Sequence, residues 1–305
     1  MNEIAKRAIL PPILKANDVI GLAPLAGPHQ EEDFQKGAAI LRDFGFNIKT
    51  LRPTAPLPFL AGSDQERLDI FLNLWQDPEV KAVMAIRGGY GTLRLLANLD
   101  YDLFKENPKP LIGFSDISGL LNVITERSGL LTFHGPNLTT LEKSDKKSLE
   151  SLIDVLTRPQ PNALKPENLE VIRGGQVEGI LAGGNLTTLI HLIGTSFQPH
   201  LQDKILFLED VGEAPYRIDR LLTQLHLTGV FSNIKGVILG EFNSCGDQEE
   251  IWQRVTELVE DNTIPIWAGF PVGHGQENLC LPIGSQVVMD SNRGTLTWSA
   301  PCHGV

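Results

Sequence analysis

The chain has 305 residues, 42% of them hydrophobic and 21% charged, with a formal net charge of −11. That balance describes a globular protein long enough to bury a full core, in about two domains at roughly 150 residues each. The acidic charge argues against a nucleic-acid partner, which would call for a basic face, and no apolar run approaches the roughly 20 residues that span a bilayer.

The first twelve residues (MNEIAKRAILPP) contain no long apolar core and no small-residue cleavage site, so no secretory signal is expected and the cytoplasm is the expected location. Residues 18–24 (DVIGLAP) are a short apolar run closed by proline and read as a buried strand. Phe34, Ala38, Leu41 and Phe44 recur at helical spacing over 31–44, and Gly45 offers a stop. Residues 47–51 read as a second strand. Ser63, with Glu66 three residues on, forms a capping box that opens a helix running to about Gln76. Residues 81–87 (KAVMAIR) are a third strand, feeding Gly88-Gly89-Tyr90-Gly91 and then a helix carrying Leu93, Leu96 and Ala97. Residues 110–114 are a fourth strand, 117–127 a helix and 131–134 a short fifth strand. Repeated strand, turn and helix units imply a parallel sheet covered on both faces, with ligands gathering at the carboxyl ends of its strands.

The proline-rich stretch from Arg158 to Asn168 (RPQPNALKPEN) marks a linker over 158–170. The expected division is an α/β domain over 1–157 and a second domain over 171–305. In the second, strand-like runs at 177–182, 204–208, 236–242, 265–270, 286–289 and 295–298 come with fewer helices. A smaller, β-rich domain of mixed or barrel-like architecture is expected. Residues 215–226 are its clearest helix, opened by Pro215 near the first helical position, with Ile218, Leu221, Leu222 and Leu225 on the apolar stripe. Tyr216, Arg217 and Arg220 lie off that stripe.

Ser115 follows the fourth strand and precedes a helix. A serine at such a turn presents its hydroxyl at the sheet's carboxyl edge, where the helix's free N–H groups can stabilise negative charge. The logic is that of a nucleophile elbow, although the sequence here is Gly113-Phe114-Ser115-Asp116-Ile117 rather than GxSxG. Taken alone, a helix cap by Ser115 or Asp116 is the better local reading. The Arg87–Gly91 turn could supply N–H groups to an oxyanion or a carboxylate, but it matches neither phosphate-loop pattern.

Seven histidines are available as a base, at 29, 134, 191, 200, 226, 274 and 303. His274 has glycine on both sides and follows a strand, which suits a catalytic loop. His134, ending the fifth strand, is its rival; His191 and His226 fall in apolar helical patterns and read as structural. The strand at 204–208 is followed by Glu209 and Asp210, either of which could orient the base. Asp210 and Glu213 fit better as acids at the start of the Pro215 helix. The three cysteines, Cys245, Cys280 and Cys302, suggest neither a disulfide framework nor a metal site. They fit a reducing compartment, and Cys280 reads as a small buried residue.

The motif set resembles the L,D-carboxypeptidase family of serine peptidases (muramoyltetrapeptide carboxypeptidases), which also includes microcin self-immunity hydrolases. The resemblance rests on Gly62-Ser-Asp-Gln-Glu-Arg67, Arg87-Gly-Gly-Tyr-Gly91, Gly113-Phe-Ser-Asp116, His134-Gly-Pro136, Gly183-Gly-Asn-Leu186, Leu208-Glu-Asp-Val-Gly-Glu213 with Pro215-Tyr-Arg-Ile-Asp-Arg220, and Gly273-His-Gly275 with Leu281-Pro-Ile-Gly284. These run in the family's order over nearly the whole chain. The resemblance implies a flavodoxin-like N-terminal domain and a β-rich C-terminal one, with a triad of Ser115, Glu209 and His274 assembled across their interface. It implies an oxyanion hole from the backbone N–H groups of Gly89 and Asp116. The implied reaction removes the terminal D-alanine of a murein tetrapeptide through an acyl-enzyme, with neither metal nor cofactor. Arg87 is a candidate for the terminal carboxylate and Tyr90 for further substrate contact. Members of the family are often dimers, which leaves a homodimer open. Two other readings remain: a microcin-type hydrolase of peptidyl nucleotides, and a non-catalytic two-domain protein that closes on a small ligand.

Overall fold

The computed structural model describes residues 8–55 and 57–304. The chain begins with β1 (Val19–Ala23), α1 (Glu31–Asp43), β2 (Asn47–Thr50), α2 (Asp64–Gln76), β3 (Val80–Ala85), α3 (Tyr101–Glu106), β4 (Leu111–Gly113), α4 (Ile117–Ser128), β5 (Thr132–His134) and α5 (Lys146–Thr157). It continues through β6 (Glu170–Arg173), β7 (Gln176–Asn185), α6 (Leu186–Ile190), β8 (Lys204–Val211), α7 (Pro215–Leu227), β9 (Gly236–Asn243), α8 (Gln248–Leu258), β10 (Ile266–Ala268), β11 (Leu281–Ile283), β12 (Gln286–Asp290) and β13 (Thr295–Trp298).

The first sheet has the order β11-β5-β4-β3-β1-β2. Strands β1 to β5 are parallel, and β11 joins β5 antiparallel. This is the flavodoxin-like winding, whose order reverses between β1 and β3. The second sheet runs β13-β12-β7-β8-β9-β10-β6. Its centre, β7 to β10, is parallel, while β6, β12 and β13 are antiparallel. The second sheet is therefore mixed and open; the barrel alternative does not form.

Local chemistry explains the element boundaries. Ser63 accepts from the Glu66 N–H, and the Glu66 carboxylate accepts from the Ser63 N–H at 3.0 Å, so the capping box is complete. α1 buries Phe34, Gly37, Ala38 and Leu41, and Gly45 takes a left-handed φ of 87° just beyond it. α4 is buried along most of its length because it lies between the two sheets. Gly129, at φ 81°, ends it.

One expected element differs. The helix expected after Gly91 is instead two short 3-10 turns, Thr92–Arg94 and Leu96–Asn98. The amide and hydroxyl of Thr92 are both tied to Asp116, at 2.8 and 2.6 Å. Tethered at its start, this short stretch cannot pass the cost of nucleating an α-helix. The proline-rich 158–170 segment is anchored to β13: Leu164 bridges Leu296, and Gln160 donates to the Trp298 carbonyl at 2.6 Å. Among the described residues, no helix is long and apolar enough to cross a membrane.

Gly37 marks where α1 meets the 138–143 turn. A Cβ there would stand 2.1 Å from the Leu138 carbonyl oxygen, a backbone atom. Gly37→Ala should therefore cost about 1–3 kcal/mol of stability by overpacking. Urea denaturation checks this, and an unchanged midpoint would contradict it.

Candidate active site

Ser115 occupies the turn between β4 and α4 with φ 66°, in the left-handed region that a non-glycine residue adopts only when its surroundings impose it. The surroundings are tight: a Cβ on Gly88 would lie 2.7 Å from the Ser115 Cβ and 3.0 Å from its Oγ. The cap reading of this turn does not survive. Asp116 is the N-cap residue but makes no side-chain cap; its carboxylate instead accepts from the Thr92 N–H at 2.8 Å. Burial pushes the Asp116 carboxyl pKa up.

His274 and Glu209 meet. His274 Nδ1 lies 2.6 Å from Glu209 Oε2. Glu209 is fully buried near the end of β8, in register with Asn185 of β7. Burial raises the Glu209 carboxyl pKa. Burial also acts to lower that of His274, but the bond to Glu209 and its charge outweigh this, and the net shift is upward from 6.5. Glycine on both sides of His274 is a packing requirement. A Cβ on Gly273 (φ 115°) would fall 2.6 Å from Glu209 Oε2, and one on Gly275 would fall 2.5 Å from Glu241 Cγ. Asn243, ending β9, donates to the His274 carbonyl at 2.8 Å and fixes the loop backbone.

Ser115 itself makes no hydrogen bond to His274. The two are joined through Phe114, whose ring centroid lies 4.8 Å from that of His274. Across the crevice, Gly89 takes φ 112°, and neither its N–H nor that of Asp116 has an acceptor among the described residues. Both remain available to a developing negative charge.

His134, the rival base, is fully buried and packed between Phe114 and Phe207, with no hydrogen-bond partner for either ring nitrogen among the described residues. Burial pushes its pKa down to about 3, so it stays neutral. Asp210 does not serve the Pro215 helix as expected. Its carboxylate accepts from Asn185 Nδ2 at 2.9 Å and from the Thr187 N–H and hydroxyl at 2.9 and 2.8 Å, at the start of α6. His191 is not buried in a helix face; it is exposed at the end of α6. Arg87 is exposed and donates to the Pro28 carbonyl. Tyr90 is 51% exposed, with Phe59 edge-on at 5.8 Å. Cys280 is buried, as read from the sequence.

Two supports had no assigned role in the sequence reading. Arg67 is fully buried and donates to the carbonyls of Leu25 and Gly91 and to Asp64, so it braces the Gly88–Gly91 turn. Its signal was available: Arg67, Phe71 and Leu74 share one helical stripe, and a charge on an apolar stripe needs partners. Asn137 holds the Phe114 backbone from both sides, accepting from its N–H at 3.2 Å and donating to its carbonyl at 3.4 Å. No local pattern announced it.

Residues 20–135 match the LD-carboxypeptidase N-terminal domain and residues 178–289 the LD-carboxypeptidase C-terminal domain. A putative carboxypeptidase of Synechocystis is 36% identical, with 98% of this chain and 100% of that protein aligned. The murein tetrapeptide carboxypeptidase of Pseudomonas aeruginosa is 36% identical over 79% of this chain and 81% of its own length. A solved structure of MccF in complex with glutamyl sulfamoyl guanosine superposes with a TM-score of 0.90 at 28% identity, covering 97% of this chain and 100% of that one. Two domain matches in order, full-length relatives and the shared fold lead to one conclusion: the chain belongs to the LD-carboxypeptidase family, which includes MccF.

Proposed function

We propose that the protein is a serine L,D-carboxypeptidase that removes the terminal D-alanine from murein tetrapeptides during cell-wall recycling in the cytoplasm. The observation that carries this reading is the 2.6 Å contact of His274 with Glu209 beside the strained Ser115 turn. His274 Nε2 takes the hydroxyl proton as Ser115 Oγ attacks the carbonyl carbon of the L-centre. The N–H groups of Gly89 and Asp116 hold the oxyanion. Glu209 keeps the proton of the neutral imidazole on Nδ1 and stabilises the imidazolium. The C–N bond then breaks, and His274 returns the proton to the leaving D-alanine amine. Water, deprotonated by His274, attacks the acyl-enzyme, and the tripeptide leaves with Ser115 restored. Arg87 and Tyr90, both exposed beside the turn, are the proposed substrate contacts. A homodimer is compatible with this mechanism and no step requires one.

The name of the Pseudomonas relative favours murein tetrapeptide as substrate, while the 0.90 TM-score to MccF favours a peptidyl-nucleotide one. Product analysis separates them. D-alanine release from the tetrapeptide, with an aminoacyl-sulfamoyl adenylate left intact, is the expected result; the reverse preference would overturn the substrate assignment. A binding protein without catalysis would turn over neither.

The histidine assignment has its own test. His274→Ala should lose nearly all turnover, whereas a folded His134→Ala should retain measurable catalysis; loss confined to the second would identify the wrong base. Because the base must be neutral to accept a proton, kcat/KM should rise with pH through the His274 pKa, above 6.5. Glu209→Gln removes the charge that raises this pKa. It should shift the rising limb to lower pH and reduce kcat by up to roughly 10^4-fold. A limb that stays in place would separate Glu209 from the base.

A further inference from the structure

Among the described residues, the His274 ring makes a single hydrogen bond, through Nδ1 to Glu209. One bond leaves the imidazole free to swing about that contact, and a swing would carry Nε2 away from Ser115. The second restraint on the ring is Phe114, at 4.8 Å between centroids and 48° between planes. Phe114 is 5% exposed and its backbone is clamped by both ends of the Asn137 amide. Behind it stands His134, at 5.9 Å and 72°, and behind His134 stands Phe207, at 5.0 Å and 83°. Phe207 lies on β8, two residues before Glu209. The chain of contacts therefore closes on itself: Glu209, His274, Phe114, His134, Phe207, and back along β8 to Glu209.

His134 is the anomaly in this circuit. A fully buried imidazole with no partner for either nitrogen among the described residues forgoes the hydrogen bonds that usually justify burying it. It does, however, contribute a flat ring in edge-to-face contact on both sides, an arrangement aromatic pairs favour.

We propose that Phe114 and His134 are positioning residues, which together with Phe207 form a ring stack that fixes the His274 imidazole against the turn carrying Ser115. The proposal rests on the reading of His274 as the base for Ser115. It places the restraint on the residue that immediately precedes the nucleophile, so nucleophile and base are set by one side chain although one lies in the β4–α4 turn and the other on the loop between β10 and β11. His134 acts only as a neutral spacer.

The experiment compares the wild type with Phe114→Leu, Phe114→Ala, His134→Phe and His134→Ala in the full chain. It reads kcat and KM on murein tetrapeptide, the rate of Ser115 labelling by a small fluorophosphonate, and the His274 imidazole signals by NMR. Phe114→Leu keeps the volume nearly constant but removes the ring. It should slow labelling and lower kcat by about tenfold to a hundredfold, with KM within about twofold, as a misplaced reacting group does. It should also broaden or split the His274 signals. His134→Phe keeps a ring and should stay within about threefold of wild type, whereas His134→Ala should behave like Phe114→Leu. Folded Phe114 variants with wild-type labelling and unchanged His274 signals would overturn the proposal, as would an inactive but folded His134→Phe. If the wild type does not label, the serine reading has failed. The His274 signals then decide the stack alone: broadening in Phe114→Leu supports it, and unchanged signals refute it.

Discussion

Asn122 and Gly183 exchange two hydrogen bonds, from Asn122 Nδ2 to the Gly183 carbonyl at 2.8 Å and from the Gly183 N–H to Asn122 Oδ1 at 3.2 Å. This buried amide pair joins α4, which leads out of the Ser115 turn, to β7 of the second sheet. Ser118 adds a third bond one turn earlier, its hydroxyl accepting from the Asn185 N–H at 3.2 Å. Asn185 is in register with Glu209. The spacing between the Ser115 turn and the buried carboxylate is thus set within a few residues of each, by polar groups that would be costly to leave unpaired. The glycine at 183 follows from the same approach: at φ 140°, a Cβ there would collide with the Phe207 carbonyl oxygen at 1.9 Å.

The second connection is the 271–280 loop that carries His274. Its first half lies along β9, where the Glu241 N–H donates to the Val272 carbonyl at 3.0 Å and Asn243 donates to that of His274. Its second half is tied to α5, as the Asn278 and Cys280 N–H groups donate to Ser148 and Ser151 at 2.7 and 3.0 Å. The chain then enters the first sheet as β11, beside His134. A loop stitched to both layers can hold an imidazole at their boundary without a hinge of its own. Burial of Glu209 strengthens this arrangement, since a carboxylate removed from water interacts strongly with the imidazole beside it.

Much of this was legible in the sequence. The Ser63 capping box places α2 to the residue, and the 3.6-residue period of Phe34, Ala38 and Leu41 places α1, because both signals are local. Several parallel strands of both sheets read correctly for the same reason: 18–24, 81–87 and 204–208 are largely apolar runs ended by proline, glycine or an acid. β11 did not, since three residues with Pro282 in the middle carry no period, and only pairing with β5 makes them a strand. β6 lies at the edge of the proline-rich segment and is likewise made by its partner β10. α5 is a different case. Its Leu152, Val155 and Leu156 are buried and Asp145 caps it, yet it is absent from the expected elements although its stripe is visible in the sequence. At the site, the candidates came from motifs, whereas the surroundings of Asp210, His134 and Asn137 are made by contacts with distant segments.

The central claim is that Ser115, in the turn after β4, is the nucleophile for a base carried on the 271–280 loop at the boundary of the two sheets. The most direct measurement is D-alanine release from murein tetrapeptide by wild type and by Ser115→Ala, with both shown to be folded by circular dichroism. The account predicts a loss approaching that seen when a serine nucleophile is removed from other triads, on the order of 10^6-fold in kcat. A folded Ser115→Ala that retains most of the wild-type rate would contradict it.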